Sequence, residues 1–185
     1  MKSSPATSAQ GAEDGPLVEV MDPQGRILAA MPVAEIRRQR LCHRSLVILL
    51  FDEKGRLFLR KRPRQRGQGA KRWDIPMRSP VYCEESVQDA ATRTLESILG
   101  IHAERMRLVQ VMEPCLENGN EFLHVFTLAR PELSAQNAPQ DEADGYFFGA
   151  EELDCLLRDF SELVSARLLM LARTLDFTTL GRRPL

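Results

Sequence analysis

Residues 83–101 read CEESVQDAATRTLESILGI, and the fold turns on how they are placed. Val87, Ala90, Ala91, Leu95 and Ile98 recur at helical spacing and make one apolar stripe. Ser86 stands where an N-cap belongs and Gly100 where a helix stops, so the spacing predicts a helix over 86–99. Glu85, just ahead of that helix, precedes Arg93 by eight positions. A second side of the helix carries Thr94, Ser97 and Ile98, two hydroxyls and an aliphatic group about one turn apart.

Working outward, LVEVMD and RILAAMP flank the turn PQG and predict a hairpin, followed by a short helix over VAEIRRQRL. HRSLVILLFD and RLFLRKR flank EKG as a second strand pair, with Leu57 and Leu59 on one face. The stretch after them carries seven Lys or Arg within residues 60–72 and ends at Trp73. Beyond the helix, RLVQVMEP and EFLHVFTLA read as strands around the turn CLENGN, and GYFF as a short strand after the polar loop SAQNAPQDEAD. AEELDCLLRDF and SELVSARLLMLARTLDF read as two helices. The second has Leu163, Val164, Leu168, Leu171 and Leu175 close to one stripe, too long to leave in water, so it is expected to cover the sheet or a second copy in a homodimer. Interspersed strands and helices predict an α/β fold over residues 17–185, after a polar, aperiodic tail at 1–16.

With 185 residues, 43% hydrophobic and 28% charged, the chain is long enough for a sizeable core. A formal net charge of −1 gives no global field toward nucleic acid or membrane, and the longest apolar run, SLVILLF, cannot span a bilayer. The four cysteines form no CxxC pair, and reduced thiols in a cytoplasmic protein are the expectation. His43, His102 and His124 show no metal-ligand spacing and read as surface or core histidines.

The order hairpin, basic loop, Trp-Asp, loop, helix and Gly-aliphatic resembles the Nudix hydrolase superfamily, whose box reads G-x5-E-x7-R-E-U-x-E-E-x-G-U with U a bulky aliphatic. On this chain Ser79 stands at the first glycine, Glu85 at the first glutamate, Arg93 at the arginine and Thr94 at the next glutamate. Leu95 fills the aliphatic position, Ser97 and Ile98 replace the paired glutamates, and Gly100 and Ile101 close the box. The segment VEVMDPQGRILAAMPVAEIRRQRLCHRSLVILLFDEKGRLFLRKR, with WDIP beyond it, is similar to the branch related to isopentenyl-diphosphate isomerase. The likeness runs from residue 17 to about 155. It implies an α/β/α sandwich with a mixed sheet and helices on both sides, and hydrolysis of a diphosphate using Mg²⁺ or Mn²⁺ held by helix glutamates. It also implies that Glu85 pairs with Arg93 and fixes the loop on the helix.

The departures matter because hard cations need oxygen ligands, and neutral hydroxyls bind Mg²⁺ weakly. Glu96 lies about 200° around the helix from position 94 and cannot substitute. The box is thus degenerate, with no metal expected at its helix and Mg²⁺ or Mn²⁺ required only if the protein is catalytic. The resulting expectation is a protein that recognises a diphosphate-linked small molecule, nucleoside or isoprenoid, with hydrolysis lost or much reduced. The alternative is an active, atypical diphosphate hydrolase whose carboxylates lie outside the helix, at Glu84, Glu85 and Asp141, Glu142 or Asp144. A third reading takes the 60–72 loop as a polyanion-binding module. The pocket is expected where that loop, residues 73–76 and the helix meet, with Arg60, Arg62 and Trp73 as binding residues. Glutamates at 94 and 97 are expected to be structurally cheap, and one at 98 to cost buried apolar surface.

Overall fold

The computed structural model describes residues 15–62, 72–100, 106–129 and 145–182. Residues 1–14 of the polar tail, Ile101, His102, most of the basic loop and Asp141–Asp144 lie outside them. Its strands are β1 (Leu17–Met21), β2 (Ile27–Pro32), β3 (His43–Phe51), β4 (Leu57–Lys61), β5 (Trp73–Asp74), β6 (Arg78–Pro80), β7 (Arg107–Met112), β8 (Glu121–Ala129) and β9 (Tyr146–Phe148). The helices are α1 (Val33–Gln39), α2 (Val87–Leu99), α3 (Ala150–Asp159), α4 (Ala166–Thr174) and α5 (Phe177–Arg182).

β3 organises the sheet. It runs antiparallel to β1, β4 and β6, and parallel to β8 in an unbroken register from His43 opposite Glu121 to Phe51 opposite Ala129. A strand covered on both faces reads as a continuous apolar run rather than an alternating one, which explains SLVILLF. Val47, Leu49 and Phe51 face one core with Leu153, Leu168, Leu171 and Phe177 of the C-terminal helices. Leu46, Ile48 and Leu50 face the other with Ala90, Ala91 and Leu95 of α2. The result is a mixed sheet between two helical layers, as the resemblance implied. Full burial of one such leucine contributes about 1.5–3 kcal/mol.

α2 begins and ends where its caps dictate. Ser86 Oγ accepts from the Asp89 N–H at 3.1 Å, and Gly100 closes the helix at φ +65°. Two features depart from the sequence reading. Residues 73–74 and 78–80 pair as strands instead of running as loop. The expected helix over 161–177 is interrupted: Ser165 caps a new start for α4, and Asp176 accepts from the N–H groups of Thr178 and Thr179 at the start of α5. Of the two expected covers for the apolar stripe, Val164, Leu168 and Leu171 take the chain's own sheet.

Candidate functional site

The loop before α2 is held by one guanidinium. Arg93 donates from Nε to Glu85 Oε1 at 2.7 Å and from Nη2 to Oε2 at 2.8 Å. It also donates to Ser79 Oγ at 3.0 Å and to the Pro80 carbonyl at 3.1 Å, and it lies 3.9 Å from the Tyr82 ring centre. Glu85 Oε2 takes a further hydrogen bond from the Tyr82 N–H at 3.0 Å. Burial alone would raise the Glu85 pKa, but Arg93 and that backbone donor outweigh it and hold the carboxyl below its usual value. The planar fork matches a carboxylate in two places, which is why arginine serves here. Glu85 thus pairs with Arg93 and fixes the loop on the helix, as the resemblance implied. Glu84 is exposed at φ +63°, where the chain bends into the helix.

Thr94, Ser97 and Ile98 do not share one environment. Thr94 is 2% exposed, and its hydroxyl donates to the Ala90 carbonyl at 2.6 Å. Ser97 is exposed, whereas half-buried Ile98 both packs on the α2 core and lines a cavity of about 250 Å³. That cavity lies at the predicted meeting of the basic segment, residues 74–76 and α2; its other walls are Arg60, Lys61, Arg62, Asp74, Ile75, Pro76 and Arg78. A divalent cation does not fit this donor set: one hydroxyl is buried and used, Ile98 offers no oxygen, and the walls are largely cationic. Among the described residues no three His, Cys, Asp or Glu side chains cluster as metal ligands.

The cations are placed by a small clasp. Asp74 accepts from Arg62 Nε at 2.7 Å, from Ser165 Oγ at 2.6 Å and from the Ile75 N–H at 3.0 Å. Ser165 in turn caps α4, so one buried carboxylate ties β5, the end of β4 and α4 together. Arg62 therefore reaches the cavity as half of an ion pair, alongside Arg60. Trp73 does not line it. Its ring packs edge-on against Phe148, with Lys61 Nζ 4.8 Å from its centre, and its carbonyl accepts from the Ser165 N–H.

Arg78 also lines two further cavities, of about 340 and 400 Å³, that extend the groove past the N-terminal ends of β3 and β8. Their walls share Arg37, His43, Glu121 and Arg167. Glu121 accepts from Arg167 at 2.7 and 2.8 Å and from Ser45 Oγ at 2.5 Å. Burial would raise the Glu121 pKa, but the guanidinium and the hydroxyl prevail and lower it. Among the described residues Arg78 forms no such ion pair. Water reaches it, yet protein walls it in, and this desolvation, reinforced by Arg167 and Arg62 and only partly offset by Asp74, depresses its guanidinium pKa. Arg37, His43, Arg78, Glu121 and Arg167 escape sequence reasoning. The parallel β3–β8 register brings His43 beside Glu121 across 78 positions, and Arg167 arrives from another helix.

A sequence model of the NUDIX domain matches residues 42–169, from just before β3 into α4. An uncharacterized Nudix hydrolase of Pseudomonas aeruginosa is 35% identical over 92 residues, covering 50% of this chain and 54% of that protein. An isopentenyl-diphosphate Delta-isomerase of Nocardia farcinica is 36% identical over 87 residues, 46% and 50% respectively. The chain thus spans about half the length of these curated relatives. Among solved structures, DR0079 from Deinococcus radiodurans superposes with a TM-score of 0.67 at 17% identity, covering 85% of this chain and 97% of that one. A NUDIX hydrolase from Nitrosomonas europaea gives 0.50 at 16%, covering 76% and 91%. These similarities speak for the fold; the domain match speaks for descent, and by it the chain belongs to the Nudix hydrolase family.

Proposed function

We propose that this Nudix domain recognises a diphosphate-linked small molecule in the arginine-lined groove, and that its metal-dependent hydrolysis is lost or much reduced. The observation that carries the reading is the wall of the cavity beside α2. Where converging carboxylates would hold a cation, Ile98 faces Arg60, Lys61, Arg62 and Arg78. Guanidinium and ammonium groups there suit phosphate oxygens directly, with no bridging metal needed for attraction. The four unbridged cysteines support a cytoplasmic setting. Among the described residues no helix is long and apolar enough to cross a membrane.

The test is a thermal-shift screen of nucleoside diphosphates, nucleotide sugars, coenzyme A and isoprenoid diphosphates, each with and without Mg²⁺. A ligand at 100 times its Kd stabilises the folded state by about 2.7 kcal/mol. At least one diphosphate is expected to stabilise the protein without metal, with little product formed on long incubation. If no diphosphate shifts the transition, recognition is wrong. Rapid turnover with Mg²⁺ or Mn²⁺ overturns the loss of hydrolysis instead, and favours the alternative carboxylates at Glu84, Glu85 and Asp141 to Asp144.

A further inference from the structure

The groove has cations at both ends, and its lining limits what can lie between them. At one end stand Arg60, Lys61 and Arg62 with Arg78. At the other, Arg37 and Arg40 project from the last turn and cap of α1, beyond the Glu121–Arg167 pair. Arg37, Arg40 and Arg78 make no ion pair among the described residues, although Glu117 lines the same cavity and Asp74 lies near enough to Arg78 to act on it. Like charges held in a walled cleft repel, and an anion at each end relieves that repulsion.

Phe, Tyr and Trp rings are missing from the lining. The chain has eight phenylalanines, two tyrosines and one tryptophan, all within the described residues, and none lines these three cavities. A base would therefore find only the His43 imidazole, in the two cavities away from α2, and no larger ring to stack on. The apolar lining is confined: Ile75, Pro76 and Ile98 stand together beside α2, while farther along Ile36 and Leu46 are almost wholly buried and Leu116 is 85% exposed. An isoprenoid chain would find apolar surface only beside α2, where the cations seat the diphosphate, and none continuing along the groove, whereas hydroxyl groups there would meet Arg37, His43 and Arg167.

Building on the proposed function, we infer that the preferred ligand is anionic at both ends: a diphosphate against Lys61 and Arg78, and a second phosphate against Arg37 and Arg40, joined by a short hydroxylated unit such as a sugar. Binding of phosphoribosyl diphosphate, isopentenyl diphosphate, ADP and inorganic pyrophosphate is compared by calorimetry without metal, on wild type and on the Arg37→Gln and Arg78→Gln variants. Arg37 is exposed, so its variant keeps the fold. The sugar ligand with phosphates at both ends is expected to bind at least about tenfold more tightly than the other three, the worth of one charged hydrogen bond. Arg37→Gln should weaken that ligand alone by about tenfold, and Arg78→Gln should weaken every diphosphate. Equal or tighter binding of isopentenyl diphosphate or ADP, or indifference of the sugar ligand to Arg37→Gln, overturns the inference while leaving diphosphate recognition standing. Failure of all four to bind wild type also overturns the inference, and removes diphosphate recognition with it when the thermal-shift screen is silent as well.

Discussion

Arg93 holds both carboxylate oxygens of Glu85, at 2.7 and 2.8 Å, across eight positions of sequence. The pair joins the loop to α2 through two parallel charged hydrogen bonds. Removing one partner strands the other in a half-covered site, so Glu85→Ala should cost about 1–3 kcal/mol. Arg93→Lys should recover only part of that loss, because an ammonium cannot reproduce the fork to Glu85 while reaching Ser79 and Pro80. Urea midpoints at constant m-value measure both; an undisturbed Glu85→Ala midpoint would show that the clasp is ornamental.

The pair also sets an acid limit on stability. Glu85 and Glu121 both titrate below the ordinary glutamate value when folded. Their contribution is therefore fully present above the unfolded value, about 4.3, and is lost as pH falls through the lower folded values. Melting temperature should drop steeply below about pH 4. Glu121→Gln should shrink that acid-side slope and cost about 3–5 kcal/mol at neutral pH, since Arg167 is then left covered beside a neutral amide. An unchanged slope in the variant would mean that Glu121 is not linked to folding.

Much of this was legible in the sequence because local chemistry dictated it. Ser86, the apolar stripe and Gly100 bound α2 to within a residue, and the apolar run at 45–51 reported a strand covered on both faces. The burial of Thr94 was legible too, and misread. The period that sends Val87, Ala90, Ala91, Leu95 and Ile98 toward the core also sends position 94 there, but polarity suggested an open side. The hydroxyl is accommodated by bonding back to the Ala90 carbonyl. The groove was not legible. Arg37, Arg78, Glu121 and Arg167 come from α1, β6, β8 and α4, and only sheet register brings them together.

That correction reorders the expected costs of adding carboxylates to α2. Thr94→Glu places a charge in a site that is 2% exposed, and should cost about 2–4 kcal/mol or more. Ser97→Glu is exposed and should stay within about 0.5 kcal/mol of wild type. Ile98→Glu loses some packing, but its carboxylate can turn into a cavity walled by Arg60, Lys61 and Arg62, so its cost should fall between these. Thermal or urea unfolding ranks the three. A Thr94→Glu variant as stable as Ser97→Glu would contradict the burial of that side chain.

The sharpest test rebuilds the missing ligands where the structure allows them. Ser97→Glu with Ile98→Glu, keeping Thr94, puts two carboxylates at the α2 edge of the cavity, one exposed and one facing the cations. The double variant should fold and gain Mg²⁺ affinity, although Arg60, Lys61 and Arg62 will compete for the new charges. Any diphosphate hydrolysis should then appear only with metal and exceed that of wild type. Ordinary enzymes turn over about 1–1000 times per second, so a residual wild-type rate orders of magnitude lower fits a lost site. If wild type with Mg²⁺ already works in that range and the double variant is no faster, the cations beside Ile98 do not mark a lost metal site. Catalytic carboxylates would then be sought at Glu84, Glu85 and Asp141 to Asp144, first by Glu84→Gln and Asp144→Asn under the same assay.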